Sequence, residues 1–214
     1  CAISPDGQTI AFSYQGDIYT VPSSGGKARQ LTTHPAHDTR PVWSPDGQRI
    51  AFASNRSGNF DVFLMNKEGG EPKRLTTHST NEYPTTFKDN GHILYLANVL
   101  QDAKDIQFPG TRFMQVYEIS TDGGRPDLYS SLYMENIALS KDGSKLLYND
   151  YKGYEDPWRK HHQSSITRDI WLCTLGKDRS FQKVTTFGGE DRNPVWAADG
   201  ASFYYPVSYT HLTL

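Results

Sequence analysis

The four residues Ser44-Pro45-Asp46-Gly47 return along the chain as Ser4-Pro5-Asp6-Gly7, Lys88-Asp89-Asn90-Gly91, Ser140-Lys141-Asp142-Gly143 and Ala197-Ala198-Asp199-Gly200. Proline fixes φ at the first corner of a turn, Asp can hydrogen-bond its own backbone, and Gly takes the positive φ that closes a three-residue hairpin loop with a bulge. Each copy is therefore predicted to join two antiparallel strands. The flanks agree: Pro41-Val42-Trp43 before the turn and Arg49-Ile50-Ala51-Phe52-Ala53-Ser54 after it are short and rich in β-branched, aromatic and small apolar residues.

The turn glycines lie 40, 44, 52 and 57 residues apart, the range of a four-stranded propeller blade. A second mark, the pairs Gly25-Gly26, Gly69-Gly70 and Gly123-Gly124, with Leu175-Gly176-Lys177 standing in for a fourth, predicts a second hairpin in each repeat. Lettering the strands of a repeat A to D, the Asp-Gly turn joins A to B and the Gly-Gly turn joins C to D. The second repeat then reads Arg40 to Ser44, Arg49 to Ser54, Phe60 to Asn66 and Pro72 to Thr76. Pro41, Pro84 and Pro194 fall in strand A, which marks that strand as a sheet edge, the one lining a propeller's channel. The expected fold is all-β: an incomplete β-propeller of four antiparallel four-stranded blades (1–33, 34–77, 78–130, 131–186) and a partial fifth (187–205). Residues 206–214 have no counterpart in the repeats. The stretch Val207 to Leu214 resembles translated sequencing-adapter read-through and is expected to be foreign to the natural protein.

With 36 % hydrophobic residues a buried core is attainable, while a formal charge of −2 gives no electrostatic reason to bind nucleic acid or an anionic membrane. No stretch approaches a membrane span, and the start has no signal-peptide pattern. Ala2-Ile3-Ser4 instead matches Val42-Trp43-Ser44, so the N-terminus is expected to be a cut inside a repeat; the compartment stays open between periplasm and cytoplasm. Cys1 and Cys173 fall on different strands of different repeats and are not expected to pair.

Candidate chemistry is sparse. Gly200-Ala201-Ser202 opens like a nucleophile elbow but lacks its closing Gly. His34 and His78 follow Leu-Thr-Thr at the same phase and read as inherited repeat residues, with His37 merely nearby; no metal or cofactor is expected. The interval from Asp-Gly to Gly-Gly grows through 18, 22, 32 and 33 residues, while the return interval stays at 22, 22, 20 and 24, so the B–C connections of repeats three and four are the elaborated ones. The longer connection, Lys152 to Arg168, is locally basic and carries Trp158, Arg159, Lys160, His161 and His162. Two readings fit it. Its charges answer Glu155, Asp156, Glu190 and Asp191 on neighbouring connections, or it forms a docking surface where Arg binds carboxylates bidentately and Trp158 anchors the contact.

Ile50-Ala51-Phe52, Asn55-Arg56, Gly58, Asp61-Val62-Phe63, Gly69-Gly70 and Leu75-Thr76 resemble the WD-like repeat of TolB, of prolyl-oligopeptidase-type enzymes and of tricorn-type serine peptidases. Lys152-Gly153-Tyr154, Pro157-Trp158-Arg159-Lys160 and Arg168-Asp169-Ile170-Trp171 resemble the fourth blade of the N-terminal propeller of tricorn and its bacterial relatives. That resemblance, covering residues 1 to about 205, implies a six-bladed ring that admits or guides peptides to a PDZ-like and a Ser peptidase domain, neither of them present here. It also implies a peptide-carboxylate role for the position of Lys145, although Ser144 stands where a second cation is expected. The expected function is a peptide filter or docking module of a tricorn-like peptidase, itself without catalytic residues. The alternatives are a TolB-like protein-binding propeller or the propeller of a prolyl-oligopeptidase-type enzyme. Expected partners are peptides or unfolded polypeptide, the remaining domains of a parent chain, and further copies of the chain.

Overall fold

The computed structural model describes residues 1–99, 114–152, 166–197 and 199–206. Their regular structure is entirely β, in four four-stranded antiparallel sheets and one two-stranded sheet. The sheets are β1–β4 (Ala2–Ile3, Thr9–Tyr14, Asp17–Pro22, Arg29–Gln30), β5–β8 (Asp38–Trp43, Arg49–Ser54, Asp61–Asn66, Gly69–Arg74) and β9–β12 (Glu82–Asp89, His92–Ala97, Gln115–Ser120, Asp127–Ser130). They continue with β13–β16 (Glu135–Leu139, Lys145–Asn149, Ile170–Thr174, Ser180–Lys183) and the pair β17–β18 (Val195–Trp196, Phe203–Tyr204). Each full sheet runs A-B-C-D in chain order, the meander of a propeller blade. Two compact units hold them, Cys1–Leu132 with the first three blades and Tyr133–Leu214 with the rest.

Local chemistry explains the repeat. In the first, second and fourth Asp-Gly turns the Ser hydroxyl donates to the Asp carboxylate (Ser4–Asp6 2.6 Å, Ser44–Asp46 2.6 Å, Ser140–Asp142 2.7 Å). The same hydroxyl accepts the N–H of the first residue of strand B, from Thr9, Arg49 and Lys145, each at 2.9 Å. Gly47 closes the turn at φ 66°, donating to the Ser44 carbonyl at 2.8 Å. The third copy departs from this pattern. There β9 runs on to Asp89 and pairs it with His92, leaving the two-residue loop Asn90-Gly91, and Gly91 has no positive φ. Gly176, which replaces the fourth Gly pair, is likewise outside the left-handed region.

Strand A is an edge in every full sheet, and its prolines have a further cause. Arg40, Asn136 and Asn193 occupy the same repeat position with φ near 50° (53°, 50° and 48°), and in β5 and β13 the register shifts there. Pro41 and Pro194 directly follow the left-handed residue, where a missing N–H costs no regular ladder bond.

In the first unit β6 is the central wall. Its alternation sends Ile50 and Phe52 to one face, where they join Ala11, Ile18, Phe63 and Met65, and Ala51 to the other, with Val62, Leu64, Ile93 and Tyr95. Both faces of the blade are thus buried between neighbours, and each fully buried large apolar side chain contributes about 1.5–3 kcal/mol. Within this unit β5 packs on β1 and on β9, while β4 and most of β8 face solvent, so strand A lies inside and strand D outside. Both cysteines are free, Cys1 exposed and Cys173 buried.

Candidate functional site

On the side where the B–C and D–A connections emerge, successive blades are joined by a repeated clasp. An Asp opens strand C, a Thr follows strand D, and an acid opens the next strand A. The Thr hydroxyl accepts the N–H of the residue after the Asp: Ile18 to Thr32, Val62 to Thr76 and Ile170 to Thr185, each at 2.9 Å. The next blade's acid donates its own N–H to the residue before that Asp, Asp38 to Gly16 at 2.7 Å, Glu82 to Phe60 at 2.6 Å and Asp191 to Arg168 at 3.1 Å. Two carboxylates are thereby brought together at two of these junctions, Glu82 beside Asp61 and Asp191 beside Asp169, and Asp38, Asp61, Glu82, Asp169 and Asp191 are all buried.

The counter-ions differ from blade to blade. Both Asp38 oxygens accept from Arg56 Nη2, at 3.1 and 2.9 Å, while Arg56 Nε donates to the Ser54 hydroxyl at 2.9 Å, and the guanidinium lies 4.8 Å over the Phe63 ring. Asp61 meets Arg74 at 2.9 Å, yet burial still raises its pKa. Lys183 and Lys152 both reach Asp169, the former at 2.8 Å. His34 and His78 serve their own loops: their Nδ1 atoms accept the N–H of Ala36 at 3.0 Å and Thr80 at 3.2 Å.

Of the residues singled out by sequence, Trp158, Arg159, Lys160, His161 and His162 lie outside the described residues, as does most of the elaborated connection after Val99. Arg168 is described and half-buried in charge. It donates to Glu135 at 2.7 Å and to Glu190 at 2.8 Å and stacks 5.2 Å over Tyr151. The pair with Glu190 is the charge-answering arrangement expected of this connection, and the guanidinium is already occupied by two carboxylates. Lys145 opens β14 with an exposed side chain, and its backbone N–H is used by the Ser140 turn.

Sequence reasoning passed over a groove between the first two blades, on the turn side. It encloses about 340 Å³ and sets Lys27, Arg29 and Lys67 around Trp43, with Glu68 as the acid. Arg29 pairs with Glu68, and Trp43 donates its indole N–H to the Ala2 carbonyl at 3.2 Å. The cations sit on separate hairpins 40 residues apart in sequence, so only blade packing gathers them.

The family described as the tricorn protease N-terminal β-propeller domain matches residues 2–206. The chain belongs to that family. The crystal structure of the tricorn protease superposes with a TM-score of 0.68 at 20 % identity, covering 94 % of this chain and 20 % of that one. The structure described as TolB of Agrobacterium tumefaciens gives 0.65 at 22 % identity, covering 96 % of this chain and 72 % of the other. Among curated relatives, the uncharacterized peptidase YuxL of Bacillus subtilis (strain 168) is 46 % identical over 52 residues, 22 % of this chain and 8 % of that protein. The matched stretches thus span a small part of such relatives, and the two structural likenesses speak for the fold alone.

Proposed function

We propose that this tricorn-family propeller segment is a peptide filter or docking module for a serine peptidase domain carried elsewhere in a longer parent chain. The observation that supports this most is the family match over residues 2–206. The surface chemistry fits a ligand of extended, partly anionic polypeptide. The groove at Lys27, Arg29, Lys67 and Trp43 offers cations beside an aromatic ring, and Lys145 adds an exposed ammonium on an Asp-Gly turn of the second unit. The chain's role is to hold peptide, with cleavage done by another domain. Fluorescence anisotropy of labelled unstructured peptides against the purified chain tests the first half. Saturable binding that weakens with salt and with Lys67→Glu or Lys145→Glu is expected, with no cleavage products by mass spectrometry. Turnover of those peptides, lost on replacing a Ser of this chain, would sink the proposal, and so would an absence of binding.

A further inference from the structure

The blade 2/blade 3 junction contains three polar atoms sealed from solvent that have no hydrogen-bond partner: Asp61 Oδ2, Glu82 Oε2 and Tyr95 Oη. Glu82 is 1 % exposed, and Asp61 and Tyr95 are fully buried. The Glu82 carboxyl neighbours Asp61 and Tyr95, whose proximity acts on its charge. Asp61 Oδ2 is 2.9 Å from Arg74 Nη2, a charge contact without the alignment of a hydrogen bond, the aligned bond going to Oδ1 at 3.0 Å.

The repeat shows what is missing. In blade 2, Asp38 pairs in register with Ser54, and Arg56, two residues on, neutralises it. In blade 3, Glu82 holds the place of Asp38 and pairs with Ala97, so the place of Arg56 falls to Val99, an apolar residue packed on the core. Glu82 therefore faces another carboxylate in a dry site, with no cation of its own among the described residues. Two carboxylates at such range cannot both be ionised cheaply.

We propose that Asp61 and Glu82 share one proton, and that its loss as pH rises through neutrality loosens the junction between the second and third blades. With the proton on Glu82 Oε2, that atom becomes a donor for Asp61 Oδ2, and two of the three orphaned atoms acquire partners. Burial first, and the neighbouring Asp61 charge after it, push Glu82 up to about 7, with the Thr76 hydroxyl and the His78 N–H opposing. Among the described residues the surrounding ionisable groups are Asp61 and Arg74 on β7 and β8, His78 in the D–A loop, and Tyr95 and Tyr117 on β10 and β11. On the β5 side lie Asp38 with its partner Arg56, and Arg40, whose guanidinium is 4.2 Å over the Tyr83 ring. An acid whose folded pKa is raised binds its proton more tightly folded than unfolded, so stability falls between the unfolded and the folded value and is lowest above the latter.

The test is the pH dependence of unfolding of the 214-residue chain and of Glu82→Gln, which keeps the shape and a donor for Asp61. From about pH 5 to about pH 8 the wild type is expected to lose on the order of 100-fold in the folding equilibrium constant of the first unit, a loss absent from Glu82→Gln. Should the Gln variant not fold, Val99→Arg, placing a cation where Arg56 serves Asp38, is expected to flatten the same slope. Infrared spectra near pH 6 should show a protonated-carboxyl band that vanishes in Glu82→Gln. Parallel profiles for wild type and Glu82→Gln would overturn the proposal. So would a melting temperature at pH 8 that rises with added calcium in the wild type alone, because a cation would then occupy the pair.

Discussion

Trp43 donates its indole N–H to the carbonyl of Ala2, 41 residues earlier, and Trp196 repeats the bond on Ala138 at 2.9 Å. Both rings sit one residue before an A–B turn and reach strand A of the preceding blade. The first two blades, and likewise the fourth blade and the strand pair after it, are therefore tied twice, by this Trp on the turn side and by the Thr clasp on the other.

The Thr clasp makes a clear prediction for Thr76→Val. The substitution keeps the side-chain shape and removes the acceptor of the Val62 N–H, which is fully buried. An unsatisfied buried donor costs about 1–3 kcal/mol, and urea unfolding should show a destabilisation of that size. Thr32→Val, at the same place one blade earlier, should behave alike.

Arg56→Met should be more damaging, because Asp38 is wholly buried and loses its counter-ion. Breaking a buried pair from one side costs about 3–5 kcal/mol. Adding Asp38→Asn to the same chain should recover most of the loss, and a double-mutant cycle by chemical denaturation measures it.

Acid should weaken the turns. The Ser144 and Ser140 hydroxyls hold Asp142 down at about 2, and Ser44 lowers Asp46 in the same way. A carboxylate whose folded pKa is depressed stabilises the fold above its unfolded value, and that stability drains away as pH falls through the folded one. Melting temperature should thus drop between about pH 4 and pH 2. In Asp142→Asn that drop should be shallower, and the variant should be less stable at neutral pH.

Self-association is expected through the second unit. In the two-stranded sheet β17–β18, Val195 is 60 % and Tyr204 72 % exposed, and among the described residues no third strand pairs with it, so its edge is a template for further strands. Light scattering at micromolar concentration should report oligomers that Val195→Lys with Tyr204→Lys disperses. A monodisperse wild type would refute this.

Much of this architecture is local and therefore legible. The hydroxyl and carboxylate of Ser44 and Asp46 are two residues apart, so the turn is written in nearby side chains, and strand B of the second blade, Arg49–Ser54, is legible residue for residue from its flanking turn and its composition. The alternation that splits Ile50 and Phe52 from Ala51 is equally a property of one strand. The Asn90-Gly91 turn shows where local reading stops: similar letters, with no Ser to bind the Asp, give a two-residue loop instead.

The charges were decided by the tertiary structure. Arg168 belongs to a basic connection whose charges the sequence leaves open between answering acids such as Glu190 and docking a ligand, whereas Glu135, 33 residues before it, carries no signal in the sequence, and blade packing delivers both. The Lys27, Lys67 and Trp43 groove has the same origin. Glu82 looks like any surface acid in Asn81-Glu82-Tyr83, and Val99 like any strand-end valine. Only the stacking of one blade on the next puts Glu82 against Asp61 in a dry seam, because a sequence fixes which groups a strand carries while desolvation depends on what is packed against it.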